Sequence, residues 1–293
     1  MTSSAPKKIV YLSCDNLDGY ITDDHLTIPF LQSRGWHVET VSWAANKDWS
    51  VFDAAIIRTT WDYTQRLDEF LKTLKEISQQ TRLVNCFTTV EWNSRKTYLK
   101  DLENWGLKII PTQFSWPTDW DQLFKIWNTS KIMVKPQVGA SAHNTYIITP
   151  QTLPLSPLFL DSPLIQPFRD CIYNEGELSF HFFNGHFSHA VRKIPKTGDY
   201  RVQEEYGGHI SYYLPPQDIL DQAQKMYQTI ESHLHTPSLF HRVDVLLNSQ
   251  NQLEIMEVEL VEPSLYLRTH PTAVDNFVIA LEAYLAIIPD DNK

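Results

Sequence analysis

Two neighbouring segments decide the fold, Phe240-His-Arg-Val-Asp244-Val-Leu-Leu247 and Leu253-Glu-Ile-Met-Glu257-Val-Glu259. Valine, leucine and isoleucine alternate in them with polar residues, which is typical of paired strands with one buried face. A four-residue loop, Asn248 to Asn251, predicts a hairpin in which Leu247 pairs with Gln252. Residues two apart on a strand point to the same side, so Glu257 and Glu259 lie together, and in this register Asp244 joins them.

Three carboxylates on one sheet face repel each other unless cations lie between them. Oxygen ligands of this kind suit Mg²⁺ or Mn²⁺ bridging a polyphosphate. A merely solvated acidic face is disfavoured because apolar residues fill the same two strands. The segment therefore predicts a metal and nucleotide site.

Basic residues elsewhere in the chain could supply the positive side of that site. They are Lys96, Lys135, Arg192, Lys193 and Arg201. Lys135 ends an apolar strand, and Lys96 falls in the first turn of a helix predicted to begin at an Asn93 N-cap and end at Gly106. With only nine glycines, the chain contains neither a P-loop nor a G-x-G-x-x-G motif. These lysines and arginines therefore predict a triphosphate cradle built without a glycine-rich loop.

A second hairpin is predicted around Asn184-Gly185, a strong signal for a type I′ turn. Its two-residue register pairs Glu177 with Arg192 and puts both on one polar face. Four histidines near this hairpin raise the alternative of a zinc site: His181, His186, His189 and His209. Their spacing does not match a structural zinc site and no thiolate lies close by, so solvated strand-face histidines are favoured.

The order of strand and helix patterns gives an α/β chain with two main parts. Residues 1–90 alternate strand and helix signals and predict a small domain with a parallel sheet. Residues 91–293 form the second domain, with one subdomain at about 112–165 and another, strand-rich and then helical, at about 166–293. Pro154, Pro157 and Pro163 predict a connecting loop between these subdomains.

Composition narrows the class of protein. The net charge of −10 argues against nucleic-acid binding, because such proteins present basic surfaces to phosphates. No apolar stretch is long enough for a signal peptide or a membrane span. Three widely separated cysteines suggest no disulfide framework. We expect a cytoplasmic protein that binds neither nucleic acid nor membrane; a homo-oligomeric state stays open.

The order of these motifs resembles the ATP-grasp superfamily, and within it the bacterial glutathione synthetase branch. Four phrases resemble the ATP-grasp ligases of cycloserine biosynthesis more closely: Arg58-Thr-Thr-Trp-Asp-Tyr63, His189-Ala-Val-Arg-Lys-Ile-Pro195, Val202-Gln-Glu-Glu-Tyr-Gly-Gly208 and Glu259-Leu-Val-Glu-Pro-Ser-Leu265. The resemblance implies an ATP-grasp fold, in which a lid subdomain (112–165) and a C-terminal metal-binding subdomain (166–293) grip the nucleotide, with the N-terminal domain on the substrate side.

The resemblance also implies roles for individual residues. It assigns phosphate binding to Lys96 and Lys135, adenine binding to the hinge Gln166, Pro167 and Phe168, ribose binding to Glu177, catalysis to Arg192, Arg201 and Lys135, and substrate binding to Arg58, Gly207 and Gly208. Asp244, Glu257 and Glu259 match the metal ligands. Glu259 stands where the family has asparagine, which adds negative charge.

The implied activity is that of a carbon–nitrogen ligase using ATP and Mg²⁺ (or Mn²⁺). A carboxylate of an amino-acid-like or peptide substrate would be phosphorylated to an acyl phosphate, and a nitrogen nucleophile of another molecule or the same one would then attack. The alternatives are an ATP-grasp phosphotransferase and a non-catalytic nucleotide-binding protein. A metal-dependent hydrolase is less favoured because no general base accompanies the acids.

Overall fold

The computed structural model describes residues 7–153 and 163–287, in which twelve strands form three sheets. The predicted loop prolines Pro154 and Pro157 lie outside these residues, and Pro163 begins a strand. The strands are β1 (Lys7–Ser13), β2 (Trp36–Ser42), β3 (Ala54–Thr59), β4 (Arg82–Val84), β5 (Ile132–Pro136), β6 (Tyr146–Ile148), β7 (Pro163–Pro167), β8 (Glu177–Phe183), β9 (His186–Ile194), β10 (His209–Tyr213), β11 (Phe240–Leu247) and β12 (Leu253–Glu259). The helices are α1 (Asp24–Ser33), α2 (Leu67–Gln80), α3 (Phe87–Asn93), α4 (Tyr98–Asn104), α5 (Trp120–Ile126), α6 (Gln217–His233) and α7 (Ala273–Ile287).

The first sheet is parallel, with strand order β2-β1-β3-β4, as the sequence predicts. Alternate residues of β1 point to opposite faces, and each face has its own core. Ile9 and Tyr11 pack in one core with Phe277 of α7, whereas Val10 and Leu12 pack in the other core, to which α2 contributes. The C-terminal helix therefore closes the first sheet.

The central sheet has the antiparallel order β10-β9-β8-β11-β12, and a third, smaller sheet has the order β6-β5-β7. One face of the central sheet is apolar and packs against α4 and α6, as shown by the buried contacts among Leu102, Phe180, Ile230 and Val243. The opposite face carries charged residues. We call the third sheet the lid sheet.

The β8–β9 hairpin has the predicted turn but not the predicted register. Asn184 and Gly185 have φ angles of 43° and 90°, as a type I′ turn requires. A bulge between His181 and Phe182 of β8 and their partners leaves Ser188 of β9 unpaired, so Glu177 pairs with Lys193. The predicted pairing of Glu177 with Arg192 is therefore wrong by one residue, and a one-residue slip moves a side chain to the other face.

The β11–β12 hairpin contains two departures from prediction that cancel. Leu247 pairs with Leu253 rather than Gln252, which makes the loop five residues long. A bulge at Met256 then shifts the register again, so that Asp244 pairs with Glu257. The predicted register is wrong, but the predicted common side for Asp244, Glu257 and Glu259 holds.

The single helix predicted from Asn93 to Gly106 is two helices. Asn93 ends α3 rather than capping a helix, and its buried amide contacts Val258 O and Leu260 N at 2.8 Å. Those bonds to β12 and its extension satisfy the side chain that would otherwise cap. Lys96 lies in the turn before α4, where its backbone N–H donates to Gln137 O.

Over residues 7–153 and 163–287, the structure has no helix whose length and apolar character would let it cross a membrane.

Candidate active site

A cavity of about 280 Å³ lies between the lid sheet and the charged face of the central sheet. The N-terminal part of the chain contributes Tyr20, Trp61 and Tyr63 to its lining, and the turn before α4 contributes Lys96. The two loops 139–145 and 200–205 also line it. The N-terminal part, the turn before α4, the two loops and the two sheets therefore all meet around one cavity.

One portion of the cavity wall is an apolar slot. Met133 and Phe168 come from the lid side, and Leu246 and Met256 come from the central sheet, all within one packed cluster. Phe168 ends the predicted hinge Gln166-Pro167-Phe168, and all three of those residues line the cavity. A flat aromatic ring between two sheets is the kind of group that such a slot accommodates.

The first charged group of the cavity centres on Glu257. Lys135 Nζ donates to Glu257 Oε1 at 2.8 Å, and Lys96 Nζ lies 3.6 Å from Glu257 Oε2. Lys96 also donates to Gly139 O at 2.7 Å, which connects it to the loop that follows β5. Burial alone would raise the pKa of Glu257, but Lys135 and Lys96 outweigh burial and lower it. Glu257 is therefore a carboxylate held between two ammonium groups.

The second charged group runs across β8, β9 and β11. Lys193 Nζ lies 2.6 Å from Glu177 Oε1 and 3.5 Å from Asp244 Oδ2. Arg242 donates to Asp244, with Nη2 to Oδ2 at 2.9 Å, and also to Glu259. Burial opposes ionisation of Asp244, yet Arg242 and Lys193 hold its pKa well below the ordinary value.

Across both groups the cavity holds four cations and four carboxylates that neutralise each other. The cations are Lys96, Lys135, Lys193 and Arg242, and the carboxylates are Glu177, Asp244, Glu257 and Glu259. Buried charges of this kind are stable only when paired. An anion that draws the cations away would leave the carboxylates free to take a metal ion.

The predicted metal ligands Asp244, Glu257 and Glu259 all line the cavity, and carboxylate oxygens are the ligands that Mg²⁺ prefers. In the part of the chain that the structure describes, however, no three histidine, cysteine, aspartate or glutamate side chains are close enough to hold a metal. Each of the three carboxylates is engaged by a lysine or arginine instead. The donor set suits a hard divalent cation, but only after those ion pairs open.

Most of the residues predicted for the site line this one cavity. They are Lys96, Lys135, Gln166, Pro167, Phe168, Glu177, Arg201, Asp244, Glu257 and Glu259. Arg201 is held by an ion pair with Asp199 at 2.7 Å and lies over the ring of Tyr206.

Arg192 does not lie in the cavity lining. The bulge in the β8–β9 hairpin turns it to the face of Leu178, where its guanidinium stacks over Tyr213 at 4.9 Å. Lys193 takes the place beside Glu177 that the sequence predicts for Arg192. The catalytic position assigned to Arg192 is therefore corrected.

Arg58 does not lie in the cavity lining either. It is buried in the core of the first sheet, where its Nε and Nη2 bind Asp24 Oδ1 at 2.9 and 2.8 Å. Its guanidinium packs between the rings of Phe240 and Phe277. The structure therefore does not bring Arg58 to the cavity, because Asp24 of α1 pairs with it, and the predicted substrate contact stays a prediction.

Gly207 and Gly208 also lie outside the cavity lining. Gly207 has a φ of 82°, and a Cβ on Gly208 would lie 2.0 Å from Val202 O. These glycines let the loop before them fold back on itself, and that loop, rather than the glycines, reaches the cavity with Glu204 and Glu205. Their predicted direct substrate contact is therefore corrected to a role in loop shape.

Sequence reasoning missed Arg242 and Glu262 as cavity residues, and it named Lys193 only as one of five basic residues of the predicted cradle. Arg242 lies two residues before Asp244 on the same strand, so the rule of alternating faces could have found it. Lys193 depends on the bulge, which no sequence signal announces. Glu262 follows β12, where strand alternation no longer applies.

The chain is similar to known proteins over most of its length. Residues 9–85 match the family described as D-cycloserine synthetase DcsG, N-terminal domain. The cycloserine biosynthesis protein DcsG of Streptomyces lavendulae is 26% identical, over 80% of this chain and 84% of that protein. The crystal structure of D-cycloserine synthetase DcsG superposes with a TM-score of 0.81 at 25% identity, covering 95% of this chain and 99% of that one.

The chain has the ATP-grasp fold and is similar to ligases of that fold. A more distant structure has the same fold: D-alanine–D-alanine ligase from Bacillus anthracis complexed with ATP, with a TM-score of 0.64 and 13% identity over 96% of each chain. The α/β class and the ATP-grasp fold predicted from the sequence are thereby confirmed. In this chain the cavity lies between the lid sheet and the central sheet, with the hinge in its wall.

Proposed function

We propose that the chain is an ATP-grasp ligase that joins a carboxylate to a nitrogen nucleophile through an acyl phosphate. The carboxylate belongs to an amino acid or a small peptide, and the nitrogen belongs to a second molecule or to the same one, as in a cycloserine-type ring closure. The observation that carries the proposal is the buried, charge-balanced set of four cations and four carboxylates in one cavity beside an apolar slot.

The apolar slot between Phe168 and Met256 suits adenine, and the neighbouring cations suit phosphates. Lys96 and Lys135 would exchange Glu257 for phosphate oxygens, which are stronger acceptors carrying more charge. Glu177, buried beside Lys193, would accept hydrogen bonds from the ribose hydroxyls. Mg²⁺, held by Asp244, Glu257 and Glu259, would neutralise phosphate charge when bound.

Arg242 and Lys193 would stabilise the charge that develops during transfer. Both pair with Asp244, and once those ion pairs open each would have a positive charge to offer the transferred phosphoryl group. Arg242 offers a planar, bidentate guanidinium and takes the role predicted from the sequence for Arg192. Arg201 is a second arginine at the edge of the cavity. Ser141 Oγ donates to Glu205 Oε1 at 3.0 Å, which joins the loops 139–145 and 200–205, and in the proposal these loops exclude water from the cavity.

Carboxylate-dependent release of ADP tests this proposal. The purified protein is incubated with ATP and Mg²⁺ and with mixtures of amino acids and dipeptides, and products are identified by mass spectrometry. We expect ADP release to rise with an active mixture and an amide-type product to accumulate. Formation of a stable phosphorylated substrate would favour the phosphotransferase alternative, and an absence of any nucleotide turnover would favour a non-catalytic role.

A further inference from the structure

A second portion of the cavity wall joins the N-terminal part of the chain to the segment after β12. Trp61 Nε1 donates to the backbone O of Glu262 at 3.0 Å, and Tyr20 packs on Trp61 with ring centroids 4.9 Å apart. The Tyr63 hydroxyl lies near enough to the Glu262 side chain to lower the pKa of that carboxyl group. These four residues all line the cavity, so the wall is three aromatic rings and one carboxyl group.

Glu262 differs from the paired acids of the cavity because no lysine or arginine of the described residues forms an ion pair with it. Its exposed fraction is only 9%. The four carboxylates of the charge-balanced set each pair with a lysine or arginine, whereas within residues 7–153 and 163–287 no basic side chain lies within 4.0 Å of Glu262. A buried carboxylate without a counter-ion is costly, and a cation from outside the protein would remove that cost.

We propose that Glu262 binds an ammonium group of the substrate, with the rings of Trp61 and Tyr63 beside it. This inference rests on the proposed ligase function and narrows its substrates to compounds carrying a protonated amine. An ammonium group suits such a wall because it pairs with a carboxylate and is attracted to aromatic faces. The amine belongs to the carboxylate substrate, as in an α-amino acid, or to the attacking nucleophile before it loses its proton.

The electrostatics of the site agree with that assignment. Burial and the nearby charge of Glu259 raise the pKa of Glu262 to about 8, although Lys96 and Arg242 act in the opposite direction. The carboxyl group is therefore largely neutral in the free protein at pH 7 and becomes charged when a cation arrives. A purely structural role, in which Glu262 only holds Tyr63, needs no cation.

The test compares Glu262→Gln with the wild type on matched pairs of compounds. Each pair is an α-amino acid and its des-amino analogue, such as alanine with propionate and phenylalanine with 3-phenylpropionate, in a panel spanning the common side chains. Binding is measured by titration calorimetry with a non-hydrolysable ATP analogue and Mg²⁺ present, and acyl phosphate formation is trapped with hydroxylamine. Glutamine keeps the size of glutamate and an oxygen acceptor for Tyr63, so the fold should survive.

We expect the wild type to prefer an amino compound over its analogue by about tenfold or more, and Glu262→Gln to reduce that ratio to near one with the KM for ATP unchanged. Glu262→Asp, which keeps the charge, should restore part of the preference. If the ammonium belongs to the nucleophile, hydroxamate formation stays normal and the KM for the amine rises instead.

An equal loss of binding for an amino acid and its des-amino analogue in Glu262→Gln would overturn the assignment of Glu262. An unchanged KM for both the carboxylate substrate and the amine would do the same. Calorimetry keeps the two proposals separate. Preferential binding of amino compounds without hydroxamate formation would contradict the ligase function alone. Hydroxamate formation with neither a preference for amino compounds nor a rise in the KM for the amine in Glu262→Gln would contradict the Glu262 proposal alone.

Discussion

Lys135 Nζ donates to Glu257 Oε1 over 2.8 Å, and this ion pair joins the lid sheet to the central sheet across the cavity. Both side chains are largely shielded from solvent, and Lys96, from the turn before α4, also lies close to the carboxylate of Glu257. A ligand phosphate that binds between the sheets must compete with Glu257 for these lysines. Binding of a nucleotide phosphate to these lysines would therefore also release Glu257 and make it available as a metal ligand.

Replacing Lys135 should weaken nucleotide binding. Lys135→Met removes a charge-assisted contact worth about 1.5–3 kcal/mol, so the Kd for ATP should rise about ten- to a hundredfold in titration calorimetry. Lys131→Met is the matched control, because Lys131 lies just before the same strand and pairs with the exposed Asp170. An ATP affinity of Lys135→Met equal to that of the control would remove Lys135 from the site.

Glu257→Gln should abolish Mg²⁺-dependent ATP turnover while leaving the protein folded. Glutamine cannot supply the negative charge that a metal ligand needs, yet it can still accept a hydrogen bond from Lys135. Turnover is followed against Mg²⁺ concentration, with the exposed Glu91→Gln as control. Turnover with an unchanged Mg²⁺ dependence in Glu257→Gln would contradict the metal assignment.

Arg242→Lys and Arg192→Lys form a matched pair, because each keeps the charge and loses the planar fork. Loss of one transition-state donor costs about 3–4 kcal/mol, so Arg242→Lys should slow single-turnover product formation roughly a hundred- to a thousandfold. Arg192 packs on Tyr213 outside the cavity lining, so its variant should react within about twofold of wild type.

Thermal unfolding of both arginine variants is measured alongside the rates, because Arg242 is buried among charges. A slow Arg192→Lys with a fast Arg242→Lys would mean that the hairpin register described above is not the one that operates in catalysis.

Two buried histidines should each reduce stability as the pH falls from 6.5 to 4, because they resist protonation, whereas Glu262, with its raised pKa, acts in the opposite direction. Burial lowers the pKa of His189 to about 4, and the pKa of His181 is also well below its ordinary value. The unfolded chain, with histidine pKa values near 6.5, binds more protons in this window, so unfolding is favoured as the pH drops. Over the full window His189 alone accounts for a loss of about 3 kcal/mol.

Urea unfolding at pH 7.5 and pH 5 measures this dependence. His189→Gln should show a smaller difference between the two pH values than wild type, even if it is less stable at pH 7.5. His25→Gln, at an exposed position, should retain the wild-type difference. An unaltered difference in His189→Gln would show that His189 is not protonated on unfolding.

The alternation of strand and helix signals allowed the parallel first sheet to be predicted from the sequence. The alternation of side chains along a strand allowed the common side of Glu257 and Glu259 to be predicted. The side of Asp244 was also predicted, but through a loop length that is wrong and a bulge at Met256 that compensates for it. Bulges depend on the fit between neighbouring strands, and no local residue pattern encodes them. That is why Lys193, rather than Arg192, reaches the cavity.

Arg58 and Asn93 lie away from their predicted places for a different reason. Each has a side chain suited to a function on the surface or at a helix start, but each is engaged by a partner far away in sequence, Asp24 for Arg58 and the backbone at Val258 and Leu260 for Asn93. Tertiary partners of this kind become visible only when the sheets and helices are assembled.

The central claim is that the protein uses ATP to activate a carboxylate as an acyl phosphate, and hydroxylamine trapping tests it most directly. Wild-type protein is incubated with ATP, Mg²⁺, hydroxylamine and a panel of amino acids and dipeptides, and hydroxamate and ADP are both quantified. Our account predicts that at least one carboxylate gives hydroxamate in equal amount to the ADP released above background, and that Glu257→Gln gives neither. Carboxylate-stimulated ADP release that yields neither hydroxamate nor an amide or cyclised product across the whole panel would contradict it.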